Sequence, residues 1–153
     1  MRWLALDHGT KRIGVAFCDE LEILASPFDV LDNTGEEAIG RLILLTKNEG
    51  AQGLVVGLPR HKDGADSATA PLARAFGEAL AAHTGLPLRF VDEHLSSTEA
   101  ERLLAARGVK RSDRKAKLDA AAAAVILEGF LAERRARRIP VSDLGPAISA
   151  GSS

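Results

Sequence analysis

Short apolar runs end at Asp7, Gly57 and Glu93, and the two later runs each follow a segment with helical spacing. A strand, a helix and a second strand enter one sheet through a right-handed crossover that leaves the strands parallel. The three runs can therefore share one sheet and one direction, with their carboxyl ends along a single edge. That edge is where open α/β sheets bind ligands. Asp7, the loop from Pro59 to Gly64 and Glu93 are thus expected to converge there.

The remaining elements follow from the same patterning. Met1 to Asp7, Ile13 to Cys18 and roughly Glu22 to Leu31 read as strands joined by short turns, a three-strand meander. Ala38, Leu42 and Leu45 give Glu36 to Glu49 helical spacing, and Gly50 ends it. Gln52 to Gly57 is an apolar strand. A helix from Ser67 or Pro71 to His83 leads through Gly85-Leu86-Pro87 to the strand Leu88 to Glu93. A short helix from Ser97 to Arg107, a basic connection and a long helix from about Lys115 to Arg137 complete the domain. The domain is expected to span 1–138, with 139–153, rich in Pro, Gly and Ser, as a flexible tail.

Three acids occupy three different settings. Asp7 closes the first strand just before Gly9, whose freedom at positive φ allows a tight turn. Asp92 and Glu93 end another strand, and alternation sends them to opposite faces, so only one can point at a shared site. Asp119 begins an alanine-rich stretch; steps of three and four meet Ala122, Ala123, Ile126 and Phe130, the stripe expected to pack on a sheet. Taken singly, Asp7 also reads as a turn-opening acid, Glu93 as a solvated strand end and Asp119 as a complement to the helix dipole. Taken together they point to a cation, because unpaired buried charges are costly and converging carboxylates suit hard metal ions. The basic connection must bring the chain back to that edge; about nine residues can span about 30 Å.

Charge becomes informative only when resolved along the chain. The net charge is −1, yet Arg107 to Arg138 carries ten Lys and Arg against four Asp and Glu, a local +6. Lys110, Arg111, Arg114, Lys115 and Lys117 crowd the approach to Asp119, in a connection read as mobile enough to close on a phosphate backbone. Arg134, Arg135, Arg137 and Arg138 read equally as phosphate contacts or as complements to a helix C-terminus. With five Phe, one Trp and no Tyr, stacking platforms for unpaired bases are not expected, so recognition should rest on phosphates and shape. Met1-Arg2-Trp3 runs directly into a strand without a secretory leader, and no apolar run reaches membrane-spanning length, so a cytoplasmic protein is expected. The single cysteine, Cys18, excludes an internal disulfide; exposed, it could link two chains, and otherwise it is a buried inert thiol.

The segments LALDHGTKRIGVA, LVVGLPRHKDG, FVDEHLSSTEAE and KLDAAAAAVIL closely resemble the bacterial YqgF family, also called RuvX. The resemblance covers Met1 to about Glu133. It implies an α/β, ribonuclease H-like fold: a mixed five-stranded sheet of a three-strand antiparallel meander plus two parallel strands, flanked by helices. It also implies a nuclease, described either as processing the 5′ end of pre-16S rRNA in ribosome biogenesis or as resolving Holliday junctions. Carried over by position, the family's acidic triad falls on Asp7, Glu93 and Asp119, which selects Glu93 over Asp92. The chain departs from the family pattern at His94, where relatives usually have arginine, and at Ser96-Ser97, where they have a Ser-Thr pair. A permanent cation is thereby replaced by one that titrates near neutrality.

The implied chemistry uses Mg²⁺ or Mn²⁺ as a pair of ions held by Asp7, Glu93 and Asp119, with Asp7 bridging. Lys11, Arg12, Arg60 and Lys62 would position the nucleic acid, and Lys110, Arg111, Arg114 and Lys115 would clamp it. Gly9, Thr10, His94 and Ser97 are auxiliary candidates. His8, His61 and His83 read as loop or surface residues. Structured RNA and branched DNA fit equally as partners; a homodimer suits the junction resolvase and a monomer the processing enzyme. Two rivals from other classes stand beside these: a nucleotide-binding lobe of the actin-like ATPase kind, suggested by the Asp-x-Gly-Thr stretch, and a ribosome-assembly factor that binds nucleic acid without cutting it. The first needs two such lobes, and 153 residues supply one.

Overall fold

In a computed structural model of the chain, residues 1–59, 69–93 and 97–138 are described, with the side chains of 97, 98, 115 and 138 left aside. The elements are β1 (Trp3–His8), β2 (Arg12–Cys18), β3 (Ala25–Asp32), α1 (Glu36–Glu49), β4 (Gly53–Pro59), α2 (Ala70–Thr84), β5 (Leu88–Glu93), α3 (Ser97–Ala106) and α4 (Arg111–Arg138). The strands form one sheet in the order β3-β2-β1-β4-β5. The first three are antiparallel neighbours, while β4 runs parallel to β1 and β5 parallel to β4. This is the mixed α/β sheet implied by the sequence.

Helices cover both faces, which explains the continuous apolar runs of the central strands. Leu4, Leu6, Ile13, Val15, Leu54 and Val56 point toward α1 and α2, where Leu42, Phe76 and Leu80 close the core. Trp3, Ala5, Ala16 and Val55 alternate to the other face and meet Ala123, Ile126, Leu127 and Phe130 of α4. Trp3 and Phe130 pack edge to face at 4.8 Å, an arrangement contributing about 0.5–1.5 kcal/mol beyond area burial. The helix ends follow local chemistry. Gly50 and Gly85 adopt left-handed conformations that close α1 and α2, and Pro71 sits in the first turn of α2.

Two expectations are corrected. The basic stretch before Asp119 is not a mobile connection: α4 begins at Arg111, and only Arg107 to Lys110 link it to α3, turning at Gly108 with φ 77°. Helix-forming Arg, Lys and Ala outweigh the single serine there, and α3 packs on Ala121 and Ala122 to hold the start of α4. Strand β3 begins at Ala25 rather than near Glu22, because Asp19 accepts hydrogen bonds from the backbone N–H groups of Leu21, Ile23 and Leu24 and folds that stretch into a loop.

Glu22, in that loop, is buried. Arg134 Nε donates to its carboxylate at 2.7 Å, the N-terminal ammonium at 3.0 Å, and Arg135 Nη1 donates to its carbonyl at 3.1 Å. Arg134 and Arg135 are therefore drawn into structure at the end of the sheet opposite Asp119, while Arg137 pairs with Glu133 one turn back on α4. Cys18 is also buried, with Sγ 3.2 Å from the Trp3 amide, so a disulfide between chains has no exposed thiol to use. Among the described residues no helix is long and apolar enough to cross a membrane.

Candidate active site

Strand alternation orients the first two acids. Leu4 and Leu6 face α1 and α2 while Trp3 and Ala5 face α4, so Asp7 points to the α4 side. On β5, Val91 packs toward α4, which places Glu93 on that side and leaves Asp92 exposed on the other. Two strand-interior glycines then set the spacing. A Cβ on Gly57 of β4 would lie 2.7 Å from Ile126 Cδ1 and 3.0 Å from Glu93 Oε2, so the missing side chain leaves room for Glu93 beside β4. A Cβ on Gly14 would lie 1.8 Å from the Asp119 carbonyl oxygen. The turn of α4 that carries Asp119 therefore rests directly on the β2 backbone, opposite the residue that pairs with Asp7.

Burial raises the carboxyl groups of both strand acids. Glu93 is pushed up to about 8, first by burial and then by the charge of Asp7 and a hydrogen bond to it. Asp7 is raised to about 6 by burial, with Glu93's hydrogen bond opposing and the charge of Asp119 adding. The pair therefore holds a shared proton to higher pH than free carboxyl groups do. Asp119 is half-buried and accepts from Arg12 Nε at 2.8 Å.

The donor set is carboxylate oxygen throughout, which suits a hard divalent cation able to replace the shared proton. As the side chains stand, no group of three His, Cys, Asp or Glu residues among those described is spaced to enclose an ion: Asp7 and Glu93 bond each other and Asp119 turns to Arg12.

The β1–β2 turn is tightly specified. Gly9 N donates to the Arg12 carbonyl at 2.9 Å, and a Cβ on Gly9 would sit 2.6 Å from that oxygen. Asn33, after β3, ties the turn down: its backbone N–H donates to the Lys11 carbonyl at 2.8 Å, and its side-chain Nδ2 donates to the Gly9 carbonyl at 2.8 Å and lies 3.2 Å from His8 Nε2. His8 is half-buried against Phe76 rather than free on a loop.

Thr10, Lys11 and Arg12 are exposed on the turn. Lys110 and Arg111 are exposed where α4 begins, and Arg114 bonds the Val109 carbonyl at 3.0 Å. Lys115 lies within α4 and Ser97 opens α3. Arg60, His61, Lys62 and His94 lie outside the described residues. Sequence reasoning missed Gly14, Gly57 and Asn33. A glycine inside a strand signals a close approach, so the two glycines carried a usable signal. Asn33 carried only the general mark of a turn.

The comparisons with known proteins agree with this architecture. The family model RuvX: Holliday junction resolvase matches residues 1–133. The chain belongs to the RuvX family. Among its RuvX relatives, a protein of Symbiobacterium thermophilum named "Putative pre-16S rRNA nuclease" is 44% identical over 138 residues, covering 90% of this chain and 96% of that protein. A protein of the same name from an Anaeromyxobacter species is 44% identical over 137 residues, covering 89% and 100%. Among solved structures, RuvC of T. thermophilus in complex with a Holliday junction substrate superposes with a TM-score of 0.53 at 14% identity, covering 89% of this chain and 97% of that one. At that identity the RuvX chain shares the fold, which is ribonuclease H-like.

Proposed function

We propose that this RuvX-family chain is a divalent-metal-dependent nuclease that hydrolyses phosphodiester bonds in structured nucleic acid, with the 5′ end of precursor 16S rRNA as substrate. The observation that carries the reading is the meeting of Asp7, Glu93 and Asp119, from three distant parts of the chain, at one sheet edge beside Lys11 and Arg12. The names of the curated relatives support the choice of rRNA.

In this reading Asp7, Glu93 and Asp119 hold Mg²⁺ or Mn²⁺, as two ions, which would activate the attacking water and neutralise the leaving oxygen. The chain's own groups do the rest. Glu93 gives up its proton as the site loads. Lys11 and Arg12 receive the phosphates flanking the cut, and Arg12 exchanges its carboxylate partner for a phosphate of similar geometry. Lys110, Arg111, Arg114 and Lys115, carried on or beside the first turns of α4, bind the backbone from a rigid platform. The nuclease unit is residues 1–138, acting in the cytoplasm.

The test is cleavage of a labelled precursor rRNA leader and of a four-way DNA junction, with Mn²⁺, Mg²⁺ or chelator, beside Asp7→Asn. Metal-dependent cutting of the leader that Asp7→Asn abolishes while binding persists is the expected result. Preference for the junction would move the substrate to branched DNA, where two copies making paired cuts are required. Tight binding without cutting would make the chain an assembly factor.

A further inference from the structure

A cavity of about 410 Å³ opens between β3 and the α3–α4 corner, outside the carboxylate cluster. Phe28, Val30, Leu104 and Val109 give it apolar lining, and one acid, Asp29, and two cations, Arg107 and Lys117, stand at it, a net positive charge. The volume falls in the range of small-molecule sites, where apolar lining accompanies a few polar groups. Both cations are exposed residues, and Arg107 is oriented by Nη2 donating to the Ala25 carbonyl at 2.6 Å.

The cavity adjoins the proposed active site in two ways. Ala116, Lys117 and Ala120 belong to the same stretch of α4 as Asp119. Across the sheet, Val30 pairs with Gly14, and Gly14 pairs with Asp7. Two strand spacings put Val30 about 10 Å from Asp7, within the reach of a nucleotide or two along an extended backbone.

We infer that this cavity receives an unpaired nucleobase of the substrate strand, close to the scissile phosphate, with Lys117 and Arg107 on the phosphate of the same nucleotide. The inference rests on the nuclease reading and extends it to a substrate class: strands carrying an unstacked nucleotide near the cut. A partly apolar slot whose lining carries two cations against one acid matches a nucleotide, which pairs a flat, weakly polar base with a charged phosphate. Ordinary A-form duplex offers no base that could enter, whereas loops, bulges and ends do. The few aromatic residues gave no sign of such a receptacle, because its apolar lining is mostly aliphatic, with Phe28 beside it.

The experiment uses the full chain in chelator, so that binding is read without cleavage. Four probes are compared: a blunt RNA duplex, the same duplex with one bulged 2-aminopurine, and the DNA equivalents of both. The wild type is expected to bind the bulged probe about tenfold more tightly than the blunt one, with a change in 2-aminopurine fluorescence. The double variant Ala116→Leu/Val109→Leu, which fills the cavity, should abolish that preference and the fluorescence change while blunt-duplex affinity and thermal unfolding stay unchanged. The RNA and DNA arms report which sugar the slot accepts. Equal wild-type binding of bulged and blunt probes, or a preference that survives in the filled variant, overturns this inference and leaves the nuclease reading standing. Binding to none of the probes overturns both.

Discussion

Arg12 Nε donates to Asp119 Oδ2 at 2.8 Å across 107 residues of sequence, tying the β1–β2 turn to helix α4 where two candidate functions meet. One partner is a proposed metal ligand, the other a proposed phosphate contact. The pair is solvent-exposed on the arginine side, so its value for folding is small, and the contact can be exchanged for a phosphate at low cost.

Arg12→Ala is accordingly expected to leave the melting temperature unchanged and to weaken nucleic-acid binding. The slope of log affinity against log salt should fall by about 1, the signature of one lost phosphate contact. Titrations across a salt series measure it; an unaltered slope would remove Arg12 from the interface.

Gly14 and Gly40 make a matched pair of tests. A methyl on Gly14 would meet the Asp119 carbonyl oxygen at 1.8 Å and must push α4 off the sheet, whereas a methyl on Gly40, inside α1, meets nothing within 4 Å. Gly14→Ala should cost about 3 kcal/mol or more and remove cleavage together with stability. Gly40→Ala should stabilise by about 0.5–1 kcal/mol with activity intact. Denaturant unfolding decides both.

The raised acids give the metal-free protein a distinctive pH profile. Asp7 and Glu93 bind protons more tightly folded than unfolded, since their ordinary values are 3.8 and 4.5 and the folded ones about 6 and about 8. Stability is therefore fully present below about pH 4 on this account and declines as pH rises through 6 to 8. In chelator, melting temperature should fall between pH 5 and pH 8.5, and Glu93→Gln should flatten that fall. Adding Mn²⁺ at pH 8 should restore the lost stability, because the ion takes the place of the proton. A flat profile in chelator would contradict the burial assigned to this pair.

Glu22 behaves in the opposite sense. Its carboxyl is held down to about 2, chiefly by Arg134, so its contribution is present above pH 4.5 and lost as pH falls toward 2. Glu22→Gln should cost about 3 kcal/mol at pH 7, because it strands a cation beside a buried amide. Cleavage should persist below the new melting temperature, as Glu22 lies at the far end of the sheet from Asp119.

Asn33→Ala should separate turn geometry from folding. Loss of the bond to the Gly9 carbonyl loosens the turn that carries Lys11 and Arg12, so kcat/KM is expected to drop about tenfold with a small change in melting temperature. Asn33→Asp, which cannot donate to that carbonyl, should fail to rescue.

Much of this protein was determined by sequence alone. Apolar periodicity and the order of strands and helices specify the five-stranded sheet, because parallel crossovers have one allowed hand and each strand face must be covered. Alternation likewise decides which face Asp7 takes. Tertiary structure decided the rest, where the controlling contact joins residues far apart in the chain. Gly14 admits the Asp119 turn, Arg12 pairs with that aspartate, Glu93 lies beside Gly57, and Asn33 anchors a turn two strands away. The basic run illustrates the difference best: its composition favours helix and concentrates positive charge, but where the helix starts is also held by α3 packing against α4, an interaction that no local pattern encodes.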